Sequence, residues 1–167
     1  MSDFQAVGAF AINQEIDLNS TTQQMPLGTI IQATDVATTN YGIGEFIYLT
    51  GIASTAVGSW VTIIDNSITA LTVGSAGGQV AIAMAATVAA QFGWYQITGQ
   101  AAGLVLTGFV ATGGDAYLTA TAGSLDDSAV AGDFVSGAVP VSARDTPSSG
   151  LAEFQLNRPS VSNLLDV

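Results

Sequence analysis

Histidine, cysteine and lysine are absent from this chain, and arginine occurs only as Arg144 and Arg158. Those absences exclude most common catalytic chemistry. A nucleophilic serine needs a nearby base such as His or Lys to take its proton, and a phosphate-binding P-loop needs its lysine. Without cysteine the chain is indifferent to redox state. Charged residues make up 9% of it, against about 25% in an ordinary soluble protein. Long apolar runs are missing as well. The longest, Val80 to Ala90, is alanine-rich and closed by Gln79 and Gln91, whereas a spanning helix needs about 20 apolar residues. The opening Met1-Ser2-Asp3-Phe4-Gln5 has neither a basic n-region nor an apolar h-region, so no secretory signal is expected.

What remains is apolar and acidic. Of 167 residues, 49% are hydrophobic, and the mean hydropathy is +0.48. That length suits one domain, which commonly runs to about 100–200 residues. Thirteen carboxylates against two arginines leave a formal charge of −11. Phosphate backbones are bound by neutralising them with Lys and Arg, so neither nucleic acid nor an anionic membrane is an expected partner. The apolar residues lie in short stretches between glycines and small polar residues. That pattern predicts β-strands covered on both faces, some of them by neighbouring chains.

Three regions follow. Residues 1–25 are rich in Asn, Gln, Ser and Thr with scattered apolar positions, and read as an extended N-terminal arm that orders against a partner, a weak first strand or a frayed terminus. Residues 26–160 form the β domain, and 161–167 a C-terminal tail. Within the domain, Thr29 to Ala33 is a short strand. Glu45 to Thr50 is another, with Phe46 and Tyr48 on one face and Ile47 and Leu49 on the other, hence buried on both sides. Trp60 to Ile64 and Ile68 to Val73 flank Asp65-Asn66-Ser67 as a hairpin, because Asp and Asn tolerate the left-handed turn conformation. Val80 to Met84 reads as strand, and Met84 to Ala90 as a turn or two of helix. Phe92 to Thr98, Leu104 to Ala111, Ala116 to Thr121, Phe134 to Val141 and Leu151 to Leu156 complete the strands. Gly123 to Asp133 reads as loop, and Pro140 suits an edge position. The expected fold is all-β, a compact barrel or sandwich with at most one short helix.

Few residues invite a chemical role. Gly42-Ile43-Gly44 lacks the third glycine of a dinucleotide motif and precedes a strand, so it reads as a turn. Asp126-Asp127, with Asp115 and Asp133, could converge as an acid–base pair or a calcium cage. Calcium takes roughly six to eight oxygens, and no spacing here matches an EF-hand. Turn capping is the expected role, and no metal or cofactor is expected. The aromatics Phe46, Tyr48, Trp60, Phe92, Trp94 and Tyr95 could form a sugar-binding platform, but core or interface anchoring is the commoner use. Asn19-Ser20-Thr21 fits a glycosylation sequon by chance. Arg158, placed after the last strand, pairs with a carboxylate either across a subunit boundary or on its own surface.

Several phrases resemble the capsid decoration, or cement, proteins of tailed bacteriophages. They are Leu27 to Asp35, Gly44 to Leu49, Gln91 to Ile97, Tyr117 to Gly123, and Gly150 to Pro159, so the likeness spans about Pro26 to Pro159. The resemblance implies a virion protein on the outer surface of the capsid, made in the host cytoplasm. It implies a homotrimer that clamps neighbouring major capsid subunits and has no catalytic residues. On this reading Phe4, Phe10, Ile12 and Ile16 of the arm, together with Phe46, Trp60 and Trp94, are contact or packing residues, and Arg158 is a contact. The competing expectations are another virion surface component (a head-fibre base, a tail protein or a carbohydrate-binding adhesin module) and a small hydrolase. The hydrolase would need two carboxylates facing one cleft about 5–10 Å apart.

Overall fold

A computed structural model of the chain describes residues 4–7, 12–37, 40–110 and 114–162. Its strands are β1 (Phe4–Ala6), β2 (Ile30–Asp35), β3 (Ile43–Thr50), β4 (Trp60–Ile64), β5 (Ile68–Leu71), β6 (Gly78–Ala83), β7 (Phe92–Leu104), β8 (Tyr117–Leu118), β9 (Leu125–Asp126), β10 (Val135–Pro140) and β11 (Leu151–Val161). No helix occurs among the described residues.

Five strands close into a ring. β3 pairs with β7, β7 with β6, β6 with β4 and β4 with β5. β5 returns to β3 through Thr50 and Ile68, where the Thr50 N–H donates to Ser67 O at 2.9 Å. Closure follows from the period-2 pattern: alternate residues of each strand point inward. Inside lie Ile47, Leu49, Val61, Ala81, Ala83, Tyr95 and Ile97, with Ile63 and Leu71 beside them. The two alanines of β6 leave room for the Tyr95 ring.

The outward residues are apolar too, because each flank of the ring carries a further layer. On one flank Phe46, Tyr48 and Trp94 pack with Phe4, Ile16, Ile31 and Ala33. Here β1 pairs with β2 and the segment after it folds back over β3 and β7. Buried Gln14 fixes that segment. Its Oε1 accepts from the Tyr48 hydroxyl at 2.7 Å, its carbonyl accepts from Trp94 Nε1 at 3.1 Å, and its Nε2 donates to Leu18 O and Phe92 O. On the other flank Trp60, Val80 and Ile82 meet Phe154, Leu156, Phe109, Leu118 and Leu125, brought by β11, the β8–β9 ribbon and their loops. Trp60 and Phe154 meet edge to face, with centroids 5.0 Å apart. The accessible surface is 7679 Å², close to the roughly 7,600 Å² of a compact monomer of this mass.

The observed elements depart from the pattern-based reading in four places. Met84 to Ala90 is not helical. The Met84 N–H donates to Trp94 O and the Thr87 hydroxyl meets the Tyr95 hydroxyl at 3.1 Å, so tertiary partners take up groups that a seven-residue helix would nucleate poorly. Leu104 to Ala111 is not a separate strand: β7 runs on to Leu104, and Gly108, at φ +96°, then turns Phe109 into the core. Ala116 to Thr121 shrinks to β8, while the expected Gly123 to Asp133 loop contains β9. β11 continues through Arg158 and Pro159, which bulge opposite Gly137, so Arg158 lies within the last strand. Pro140 sits on edge strand β10 as expected. The Val141 N–H points to Glu153 O, so the place of the missing Pro140 N–H faces away from β11.

Ile12, Ile16 and Met25 of the N-terminal segment pack in one cluster with residues of the β domain. Phe10 and the tail beyond residue 162 lie outside the described residues.

Two outcomes follow from this packing. A Cβ on Gly103 would sit 2.6 Å from Trp60 Nε1 and 2.8 Å from its Cε2. Gly103→Ala should therefore cost about 1–3 kcal/mol by overpacking, read as a lower urea midpoint. Gly114→Ala, with open space around it, should stay within about 0.5 kcal/mol. The second outcome concerns pH. Burial raises the pKa values of the Tyr48 and Tyr95 phenols, and no side chain of the composition titrates between the carboxylates and the tyrosines. The unfolded chain thus loses phenolic protons before the folded one does, and stability falls as pH rises above about 10. The urea midpoint should be flat from about pH 6 to 9 and drop beyond; a midpoint that changes within that window would contradict this account.

Candidate functional site

The strand aromatics expected as contact or packing residues are all packing residues. Phe46, Trp60 and Trp94 have no exposed surface, and Phe4 and Ile16 are also buried, with Ile12 packed against the same cluster. Among the described residues of that set Ile12 is half-buried and Arg158 is exposed, and the Arg158 Nη2 lies 2.8 Å from Glu45 Oε2 of the same chain. The pair spans β11 and β3 and is the local surface ion pair, a contact of small energetic weight. Arg144 likewise meets Asp145 at 3.0 Å.

Of the aspartates weighed as a catalytic or calcium cluster, Asp126 lies in β9 opposite Tyr117, and the other three hold loop groups. Asp133 Oδ1 accepts from the Ser75 N–H at 2.6 Å, Asp127 Oδ2 from the Val110 N–H at 2.9 Å, and Asp115 Oδ2 from the Tyr117 hydroxyl at 3.3 Å. Each fastens a loop. No group of three metal-ligating side chains gathers among the described residues.

Two surface features remain. The first is the tip of the β4–β5 hairpin, where Ile64 and Ile68 face each other across the strands and both are exposed. Asp65 and Asn66 make the left-handed turn, at φ 51° and 55°. A Cβ on Gly28 would lie only 2.9 Å from Asn66 O. That close approach sets the start of β2, with exposed Ile30, beside the tip.

The second is a cleft of about 470 Å³, within the range of small-ligand sites. Gln96 of β7 lines it, with Tyr41 of the β2–β3 loop, Glu153 of β11 and Asp17 of the N-terminal segment. Burial, the Glu153 charge and a hydrogen bond to Glu153 push the Tyr41 phenol far above its ordinary value, and Asp35 adds to the effect. The Tyr41 hydroxyl therefore stays protonated beside the Glu153 carboxylate. Gln96 is fully buried. Its Nε2 donates to Thr98 O and Gln100 O, both at 2.9 Å, bridging the left-handed bend at Gly99. Its Oε1 has no partner.

No sequence pattern marks this cleft. Its residues stand at positions 17, 41, 96 and 153, with no spacing to connect them. One signal was present: Gln96 is the polar residue on the face of β7 that also carries Phe92 and Trp94, where an apolar side chain would be expected.

Comparison of the chain with protein-family models, with curated proteins and with solved structures gave no match.

Proposed function

We propose that this chain is a non-enzymatic structural protein of a tailed-phage virion. It binds the outer surface of the capsid as a homotrimer and stabilises contacts between major capsid subunits. The observation that carries the reading is the exposed apolar end formed by Ile30, Ile64 and Ile68. These side chains stand on a closed barrel, so docking them loses little backbone freedom, and their burial is favourable by area alone. Weak contacts of this kind add up when many copies sit on one lattice. Binding only to the assembled shell then raises the stability of that shell by mass action.

A sugar-binding module draws less support, because Phe46, Tyr48, Trp60, Trp94 and Tyr95 are buried and offer no platform to a ring. A carboxylate hydrolase is the second reading, since Asp17 and Glu153 line one cleft. Turnover of a glycoside or ester by the purified chain, abolished in Glu153→Gln, would replace the structural reading.

Mixing the chain with undecorated capsids should give saturable binding at a fixed number of copies and a higher rupture temperature. Ile64→Thr with Ile68→Thr should reduce that binding about tenfold, about 1.4 kcal/mol, while the urea midpoint changes little, because threonine keeps the strand preference and the two side chains are already 43% and 49% exposed. Equal binding by wild type and variant would remove the hairpin tip from the interface. A purified chain that sediments as a monomer and ignores capsids would end the proposal.

A further inference from the structure

We infer that the Arg144–Asp145 peptide bond is a proteolytic site that the fold keeps closed. A protease that cuts after basic side chains meets only two candidate bonds, since the chain has no lysine and two arginines. Arg158 precedes Pro159 inside β11, and the proline ring occupies the place of the amide N–H on the leaving side of that bond. One bond remains, in the loop between β10 and β11, where the Asp145 side chain is 55% exposed. Exposed loop tips are where nicking concentrates, unless burial or hydrogen bonding holds their backbone.

This loop is held along its length. The Arg144 N–H donates to Phe109 O at 3.2 Å, and the N–H groups of Asp145 and Thr146 donate to Leu151 O at 2.8 and 3.2 Å. Asp145 Oδ1 accepts from the Gly150 N–H at 2.7 Å, and the Val105 N–H donates to Gly150 O at 3.0 Å. The Ser142 hydroxyl oxygen accepts from the Glu153 N–H at 2.8 Å. A serine protease takes its substrate as an extended strand, with the arginine side chain in an acidic pocket. Asp145 has φ +71°, in the left-handed region that no extended strand contains. The Arg144 guanidinium turns back on its own chain, 3.0 Å from Asp145 Oδ1, with Nε donating to Val105 O at 3.4 Å. The bend, the tied N–H groups and the occupied guanidinium all oppose docking. Cleavage therefore waits for the loop to detach, and its rate follows the detached fraction.

Hydrolysis adds one water across the C–N bond, leaving a carboxylate on Arg144 and an ammonium on Asp145. It also severs β11, the partner of the second half of β7, from the rest of the chain. The closed loop thus protects the layer that covers Trp60. The inference does not rest on the capsid reading.

The test is digestion of the full chain with trypsin, read by mass spectrometry. Folded wild type should be cut about a hundredfold more slowly than the chain unfolded in urea, with trypsin activity in each buffer normalised on a short arginyl peptide. The products should be residues 1–144 and 145–167, and Arg144→Gln should stay whole in both buffers. Asp145→Ala removes the acceptor of the Gly150 N–H and the partner of the Arg144 guanidinium, so cleavage of the folded chain should rise about tenfold. Ser142→Ala, which frees the Glu153 N–H, gives the same comparison if the Asp145 variant does not fold. Equal rates for folded and unfolded wild type would overturn the inference, and so would cleavage after Arg158 or rates unchanged in both variants.

Discussion

Strand β7 is hydrogen-bonded to three neighbours, and the rest of the structure depends on its change of partner. Its first half closes the barrel against β3 and β6, while its second half pairs with β11 from Thr98 to Leu104. The switch occurs where Gly99 adopts φ +87°, a conformation that leaves room for Ile43 O, which a Cβ would meet at 2.6 Å. Gln96 bridges the carbonyls on either side of it. Because β7 belongs both to the barrel wall and to the outer layer, the barrel can be apolar inside and out. Without that bend the Trp60 and Phe154 side of the wall would face water.

This explains which parts of the fold were legible in the sequence. The β4–β5 hairpin was readable because Asp65 and Asn66 encode their own turn. The two-sided burial of β3 was readable because Phe46 and Tyr48 alternate with Ile47 and Leu49, a local pattern. The second half of β7 was not, since Gln100-Ala101-Ala102-Gly103 resembles a linker until Trp60 lies over Gly103. The continuation of β11 through Arg158 and Pro159 was hidden for a similar reason: proline argues against a strand, and the bulge opposite Gly137 that accommodates it is tertiary. The Met84 to Ala90 segment misled because alanine propensity is a weak prior against bonds to Trp94 and Tyr95. The cleft was illegible for the plainest reason. Its residues meet only after β7, β11 and the N-terminal segment have been laid together.

The high apolar content read from composition is largely absorbed within the chain. Three clusters bury the two tryptophans and most of the remaining aromatics. What stays outside is mainly branched aliphatic, with Val110 and Ile43 the most exposed. Scattered residues of this kind are ordinary on soluble proteins. Only where they cluster on a rigid turn, as at Ile64 and Ile68, do they give a partner a shaped surface. Apolar surplus alone is therefore no sign of a binding role; the paired exposure of Ile64 and Ile68 is confined to the hairpin end of the barrel.

Charge divides the possible interfaces into two kinds. A chain of net −11 repels its own copies at low salt. It has no spare arginine to offset that repulsion, because Arg144 and Arg158 both have carboxylate partners within the chain. Self-association must then rest on apolar contact and backbone shape, with the carboxylates kept at the solvated rim. A different protein is under no such limit. Each cation it brings meets an unneutralised carboxylate, so its approach is steered and its contacts are charge-assisted. The same composition that makes a tight homo-oligomer electrostatically costly therefore favours a basic partner, and that preference weakens as salt screens it.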